Sequence, residues 1–254
     1  MTDAITDLVR RHDPDRFLTA LFAPADRRDA LLTLYALNHE LARAREVASD
    51  PTLALIRLQW WREVIEGERK RHAVATPLSD AIAQGLLVPA ELLALVEARE
   101  REVEEHFATL AEWRAWLLAG AGGLAVAAAR LLGAADPGSF RAAGAVYGAA
   151  GVLRATGALA TQGRCLLPLE LLDQHGLVPE AVIGDPASAT PVAAELAREA
   201  LMLWSRPGVT RGTVAAALPG VLGRRDLRRW PRVAHPRRFG DRMAVTLRGL
   251  TGLL

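Results

Sequence analysis

Residues 25–47 read ADRRDALLTLYALNHELARAREV, and the spacing of their apolar side chains predicts one long helix. Leu31 and Leu34 stand at steps that place side chains on a single face of that helix. The same face continues, at steps of three and four, with Tyr35, Asn38, His39, Ala42 and Glu46. Polar groups therefore lie on an otherwise inward-facing stripe.

The rest of the chain repeats one kind of helix start, in which an oxygen-bearing side chain precedes a proline. These starts are Asp13-Pro14, Asp50-Pro51, Thr76-Pro77, Asp136-Pro137, Asp185-Pro186 and Thr190-Pro191. The side-chain oxygen can cap a free N–H group, and proline lacks only a donor that has no partner in the first turn. Apolar spacing between these starts follows a period of 3.6, which predicts helices near 14–22, 25–47, 51–67, 77–86, 89–107, 109–132, 137–162, 190–205 and 211–222, with a looser helical tail. No β pattern is found, so we predict an all-α protein with one domain over residues 1–254.

The helix predicted over residues 137–162 combines many small residues with one arginine. Glycine within a helix costs about 0.5–1 kcal/mol relative to alanine, so Gly144, Gly148, Gly151 and Gly157 require a reason. Close helix packing is one explanation and room for a long ligand is another. Arg154 interrupts this apolar helix and, if buried, must bind an anion or an acidic partner.

Composition excludes several classes of protein. Apolar residues make up 51% of the chain and charged residues 24%, which argues against global disorder. A single cysteine excludes an internal disulfide framework and a multi-thiolate zinc site. The longest apolar runs, 115–129 and 142–153, are shorter than the roughly 18 residues of a membrane span. The first residues do not resemble a secretory leader, so we expect a cytoplasmic protein.

Charge is concentrated toward the C-terminus. Residues 224–248 contain nine arginines and only two acids, Asp226 and Asp241. No nucleic-acid motif accompanies this Arg-rich segment, and we expect no nucleic-acid partner. An anionic membrane surface or an acidic protein is the expected counterpart, contacted through Arg228, Arg229, Trp230 and Arg232, although a solvated tail is the alternative. A second charged stretch, residues 97–105, alternates glutamates with Arg99 and Arg101 and predicts a solvated helix face.

Several separated segments resemble the squalene and phytoene synthase family. Residues 34–40 (LYALNHE) are similar to its LYAFCR segment, and residues 163–168 (GRCLLP) to its GR-x-YLP segment. Arg154 corresponds to the arginine of the family's N-x-x-RD motif. The likeness covers residues 14–205. It implies an isoprenoid synthase-like helical bundle around a central cavity, and head-to-head condensation of prenyl diphosphates by two aspartate-rich motifs that hold Mg²⁺.

The sequence departs from the family at the metal-binding positions. The first motif has Ala42, Arg43 and Glu46 at its aspartates, and the second has Ala155 and Leu159. Residues 137–169 contain no Asp or Glu, so a shift of the alignment cannot restore a ligand. Mg²⁺ binds through carboxylates, phosphate oxygens and water, and we therefore predict no metal site and no cofactor.

Within the superfamily, the chain resembles a divergent branch, the mitochondrial complex I assembly factor 6 group and its bacterial relatives. Residues 36–42 (ALNHELA) match the branch's AFN-x-ELA segment, and residues 57–61 (RLQWW) resemble its R-Q-x-W segment. The resemblance implies a respiratory-complex partner. We expect a catalytically inactive protein that binds a lipid, an isoprenoid or a protein partner, located in the cytoplasm or peripherally on the inner face of the membrane. The alternative is a prenyltransferase with Mg²⁺ at a relocated site, for which Glu40, Glu46 and Glu63 are candidates.

Six residues are expected to line the cavity. They belong to the polar stripe and to the segments that resemble the family's N-x-x-RD and GR-x-YLP motifs. They are Tyr35, Asn38, His39, Glu46, Arg154 and Arg164. His39 is interpreted either as a base or ligand, or as a hydrogen-bonded core residue. For Arg154 we consider a structural salt bridge, for example to Glu46 across the cavity, or contact with a lipid headgroup or diphosphate.

Overall fold

A computed structural model describes residues 2–46, 50–103, 106–232 and 237–254. Within these ranges the chain is helical and contains no strand, which confirms the all-α fold. The α-helices, in chain order, are α1 (Thr2–His12), α2 (Pro14–Ala20), α3 (Ala25–Glu46), α4 (Pro51–Glu66), α5 (Ala75–Ala83), α6 (Pro89–Arg101), α7 (Leu110–Ala119), α8 (Ala121–Leu131), α9 (Arg141–Thr161), α10 (Leu169–Gln174), α11 (Pro179–Gly184), α12 (Thr190–Met202), α13 (Val214–Arg228) and α14 (Phe239–Thr251). Short 3₁₀ turns, Pro137–Phe140 and Pro186–Ala189, precede α9 and α12.

Side-chain caps form at three of the six predicted helix starts. Asp13, Asp50 and Asp185 each accept a hydrogen bond from a backbone N–H of the following turn, at 3.1, 2.6 and 3.1 Å. Asp136 makes no such bond, and Thr190 is itself the first residue of α12. Local capping thus predicts where many helices begin, but neighbouring turns can move the start by one or two residues.

Several helix predictions need correction: α1, α10 and α11 were not predicted, and the helix expected over 89–107 ends at Arg101. The helix expected over 109–132 is divided at Gly120, whose ψ of −85° lies outside the helical range, into α7 and α8. The tail is more regular than expected, because α14 runs for 13 residues and ends at Gly252 in the left-handed conformation. In the described ranges, no helix is both long enough and apolar enough to cross a bilayer.

Helix α9 is the centre of the bundle and packs along both α8 and α13. Some of its glycines allow close helix packing and another lines a cavity, which are the two roles considered for them from the sequence. A methyl group on Gly148 would lie 2.5 Å from the Cβ of Ala121 in α8, and one on Gly144 would overlap the carbonyl oxygen of the same alanine. Gly151 lines a cavity, whereas Gly157 faces open space. Close packing and space for a ligand thus occur along one helix.

Helix α13 approaches α9 through its own glycines. A methyl group on Gly223 would lie 2.6 Å from the Cα of Tyr147, and one on Gly220 would lie 2.6 Å from the carbonyl oxygen of Ala143. Both obstacles are backbone atoms, which cannot turn aside as a flexible side chain can. The spacing of α9 and α13 therefore depends on these glycines.

Replacing Gly223 with alanine should destabilise the protein by about 1–3 kcal/mol, because the added methyl group forces α13 away from α9. The matched control is Gly157→Ala on the exposed surface of α9, which should instead stabilise by about 0.5–1 kcal/mol through helix propensity. Urea unfolding of the two variants measures both effects. Equal midpoints for the two variants would contradict the close-packing assignment.

Candidate functional site

A cavity of about 220 Å³ lies among α3, α6, the α7–α8 junction and α9. The chain at residues 164–166 closes one side of it. Asn38, Glu46 and Arg164 line this cavity, so three of the six expected residues come together there. Tyr35 is buried nearby, with the guanidinium of Arg16 5.6 Å from its ring centre.

The polar end of the cavity contains two guanidinium groups. Arg99 is held by Glu102 at 2.6 Å, and it donates a 3.2 Å hydrogen bond to the Oδ1 of Asn38. Among the described residues, Arg164 makes one hydrogen bond, a long one of 3.5 Å, to the backbone carbonyl of Glu102. Burial lowers the pKa of Arg164, which means that its charge is incompletely solvated. Since a guanidinium has five N–H donors, Arg164 retains donors for an anionic ligand.

The rest of the cavity wall is mostly apolar. Gly148, Gly151 and Val152 of α9 form one side, and Leu117 and Trp116 of α7 form part of the other. The indole N–H of Trp116 donates to a backbone carbonyl of α6 at 3.2 Å, so its polar atom is satisfied within the protein. The cavity is thus amphipathic, with Arg99 and Arg164 at one end and an apolar region beside α9, while a third arginine on the wall, Arg16, is paired with Asp13.

The positions that correspond to metal-binding aspartates lie on the cavity wall. Ala42 of α3 and Ala155 and Leu159 of α9 all line it. The fold therefore brings positions of both motifs into one cavity, as the resemblance implies, but these three side chains offer no oxygen, and Glu46 is the one motif position on the wall that keeps a carboxylate. A substrate placed between α3 and α9 would meet methyl and isobutyl groups at these points.

The available donors do not fit the Mg²⁺ pair of the resemblance. Glu46 is exposed at the cavity edge, and the other lining carboxylate, Glu102, is bonded to Arg99. Throughout the described residues, no group of three or more His, Cys, Asp and Glu side chains could hold a metal ion. Of the candidates for a relocated site, Glu63 pairs with Lys70 and Glu40 lies 3.6 Å from Arg43, and neither lines the cavity.

The contribution of α6 to the cavity is not apparent from the sequence. Residues 97–105 were expected to form a solvated face, but Arg99 and Glu102 line the cavity and the Glu102 side chain is only 10% exposed. Residues 104 and 105 lie outside the described ranges. An acid three residues after an arginine is common on exposed helices, and the pattern carries no signal of this burial.

Arg154 is paired with Asp226 of α13, not with Glu46, and it does not line the cavity. Asp226 also accepts from Arg237 at 2.5 Å, and Arg237 reaches the carboxylate of Asp15 in α2. Tyr147 donates to Asp15 at 3.2 Å. The alternation of buried acids and arginines satisfies each charge and joins α2, α9, α13 and the segment before α14.

This network also makes stability sensitive to acid. Burial alone would raise the pKa of Asp15, but hydrogen bonds and charge from Arg237 hold it below its ordinary value of 3.8. A carboxylate whose folded-state pKa is depressed stabilises the fold above its unfolded pKa. That contribution is lost as the pH falls below about 4.

Substitution of Asp226 by alanine should cost about 3–5 kcal/mol, because it leaves Arg154 and Arg237 buried without their shared acid. The measurement is the free energy of unfolding in urea at neutral pH. Asp7→Ala is the matched control, since Asp7 forms an exposed pair with Arg10 and should unfold close to wild type. A small effect at Asp226 would show that the network does not hold the helices together.

His39 stacks on His12, with ring centres 4.4 Å apart and planes at 16°. It does not line the cavity, and its Nε2 is buried without a hydrogen-bond partner in the described part of the chain. Burial, followed by repulsion from His12 and Arg43, lowers the pKa of His39 to about 4. The ring is therefore neutral at pH 7 and stands apart from the cavity's polar groups.

An NMR titration of the histidine ring protons should place the His39 midpoint near pH 4, well below the ordinary pKa of 6.5. Because the folded-state pKa is depressed, the associated stability is present above pH 6.5 and declines as the pH falls toward 4. His39→Phe should remove this part of the pH dependence. A midpoint above 6 would contradict the burial of the ring.

The expected surface site near the C-terminus also differs from prediction. Trp230 packs against a hydrophobic cluster of the protein itself, and its indole nitrogen is buried. Arg229 is bonded to Asp241 at 2.8 Å, whereas Arg228 and Arg232 are exposed. Trp230 is therefore partly buried, because the turn after α13 packs against the core, and its indole nitrogen does not reach the surface.

Fold and cavity together define a helical bundle of the isoprenoid synthase type. The chain belongs to the squalene/phytoene synthase family, whose sequence profile matches residues 9–245. Among solved structures, it is similar to a dehydrosqualene synthase in complex with ligand, with a TM-score of 0.69 and 14% identity over 98% of this chain and 96% of the other. It is also similar to squalene synthase HpnC from Alicyclobacillus acidocaldarius, with a TM-score of 0.66 and 20% identity over 89% and 91% of the two chains. At these identities, the two likenesses show the fold.

Curated relatives carry the name "NADH dehydrogenase (ubiquinone) complex I, assembly factor 6". The chain is 27% identical to the Rattus norvegicus protein and 26% identical to the Homo sapiens protein, in each case over 182 residues. The homolog from Drosophila melanogaster is 28% identical over 189 residues. The matches cover 68–69% of this chain but only 55–57% of the relatives. The chain thus spans about half the length of the curated relatives that it matches.

Proposed function

We propose that this protein acts by binding and does not condense prenyl diphosphates. The observation that carries the proposal is the presence of Ala42, Ala155 and Leu159 on the cavity wall at the positions of the metal-binding aspartates. Ionisation of an allylic diphosphate separates a carbocation from a polyanion, and metal ions supply several kcal/mol of charge stabilisation in such reactions. A wall without paired carboxylates lacks the ligands for that metal pair.

The ligand that suits this cavity is an isoprenoid or lipid with an anionic head. Its head would contact Arg164 and Arg99 at the polar end, where Arg164 retains free donors. Its chain would lie along Gly151, where the absence of a side chain on α9 leaves room. Guanidinium groups bind phosphate oxygens through paired N–H donors, so such binding requires no metal.

We further propose that the protein aids assembly of a respiratory complex, at the inner face of a membrane. Support comes from the relatives named as complex I assembly factors. The role does not require catalysis, and a bound lipid or isoprenoid can be part of the surface presented to a protein partner.

Calorimetric titration with farnesyl diphosphate, with and without Mg²⁺, tests the binding proposal. Wild type should bind equally well in both conditions, and prolonged incubation with Mg²⁺ should yield no condensed product. Arg164→Gln should weaken binding about tenfold, as expected for loss of one charge-assisted hydrogen bond. Arg130→Gln, on the distant surface where Arg130 pairs with Glu91, is the matched control and should bind as wild type.

A variant designed to gain Mg²⁺-dependent binding provides a second test. Ala42→Asp combined with Leu159→Asp places carboxylates on both sides of the cavity, and diphosphate binding should become stronger when Mg²⁺ is added. Formation of a condensed product by the wild type would overturn the proposal in favour of the prenyltransferase alternative. Mg²⁺-dependent binding by the wild type would show that a metal site exists in spite of the substituted aspartates.

A further inference from the structure

Helix α14 has an apolar face that points away from the protein. Phe239, Met243, Leu247 and Leu250 are 78%, 49%, 60% and 62% exposed, and their spacing places them on one side of the helix. We call these four residues the α14 stripe. The outer face of a surface helix is ordinarily polar, so a continuous row of large apolar side chains marks a surface that another body covers.

The opposite face of α14 is firmly attached to the protein. Ala244 and Val245 are buried, and Gly249 packs directly on the ring of Phe22. Asp241, in the first turn, accepts hydrogen bonds from Arg225 and Arg229 at 2.8 Å. The helix is therefore held in place with its stripe outward, and the exposure does not arise from a detached end.

The surroundings of the stripe are strongly cationic. Residues 200–254 contain eleven arginines, and their only acids, Asp226 and Asp241, are both buried in ion pairs. Arg242 is exposed on α14 itself. Beside the helix, the positive charges of Arg206, Arg228 and Arg248 act together on Arg224 and, after burial, lower its pKa. Like charges are thus gathered next to an apolar ridge.

We propose that the α14 stripe is a membrane-docking surface that inserts into the headgroup region of an anionic bilayer. Large apolar side chains flanked by arginines match such a surface, because the side chains enter the interface while the guanidinium groups contact lipid phosphates. A fluid bilayer accommodates a ridge on a single helix without a matching groove. The docking surface differs in its apolar residues from the site expected around Trp230, and it does not depend on what the cavity binds.

A second copy of the chain is a poorer occupant of this surface. In a two-fold dimer the α14 stripe of one copy would contact the α14 stripe of the other. The arginines that surround the stripe in each copy would then also face one another. No exposed acid in residues 200–254 would offset that repulsion within the described structure. The charge of the surroundings therefore favours an anionic surface over a symmetric dimer.

Co-sedimentation with vesicles of equal parts phosphatidylcholine and phosphatidylglycerol tests the proposal. Met243→Ser combined with Leu247→Ser should reduce vesicle affinity at least about tenfold, because two apolar side chains no longer leave water. The matched control is Leu53→Ser with Ile56→Ser on α4, whose side chains are also exposed and which should bind as wild type. Thermal unfolding by circular dichroism establishes that each variant is folded. If the double variant on α14 does not fold, the single variant Leu247→Ser takes its place.

A second experiment tests the contribution of the arginines around the stripe. Arg228→Gln with Arg242→Gln should weaken binding to these vesicles and reduce its dependence on salt, since exposed charges are screened by ions. Vesicles of phosphatidylcholine alone should bind weakly.

Three results would overturn the proposal. The first is a folded wild type that binds no anionic vesicles, which would favour an acidic protein partner. The second is an α14 variant that binds vesicles as well as the wild type does. The third is a wild-type dimer that becomes a monomer in the α14 variant, which would assign the stripe to a second copy of the chain.

Discussion

The structure depends on the neutralisation of buried charge between α9 and α13. Arg154 and Arg237 share Asp226, and Arg237 also binds Asp15, so four ionised groups satisfy one another away from water. Each of these groups would be costly if buried alone, and their pairing is possible only because the backbones approach closely. Gly220 and Gly223 permit that approach. The same helix pair forms the support on which the cavity and the last helix are built.

In the function that we propose, the cavity has lost the basis of one reaction and serves as a binding site. Its walls keep the positions at which members of the fold family would carry metal ligands, but Ala42 and Leu159 place apolar atoms there. Positive charge is supplied instead by Arg164 and Arg99, which belong to the protein itself. Under this proposal an anion is held by fixed guanidinium groups, and the large charge separation of an ionisation step lacks the paired carboxylates that would hold supporting metal ions. Binding and catalysis thus place different demands on one cavity.

Much of the fold could be predicted from local sequence. Period-3.6 spacing and capping side chains such as Asp13 and Asp50 identify most helices, because capping and periodicity depend on residues a few positions apart. The loss of the metal-binding acids was also visible, since no carboxylate occurs between residues 137 and 169. Predictions about partners in space were less successful. A salt bridge was one of the two interpretations of Arg154, but its partner is Asp226, 72 residues away in sequence, and not the Glu46 that was given as an example.

The sequence alone establishes the helical class, the family resemblance and the absence of paired acids, because each is a property of nearby residues or of residue identity. The packed structure establishes which charges are buried and which apolar groups remain outside. Arg99 and Glu102 resemble an exposed helical pair until α6 is packed beside α3, and Trp230 resembles a surface anchor until its turn folds onto the core. The α14 stripe likewise emerges only after the opposite face of the helix has been buried. Burial depends on contacts between distant segments, and one-dimensional spacing contains no record of those contacts.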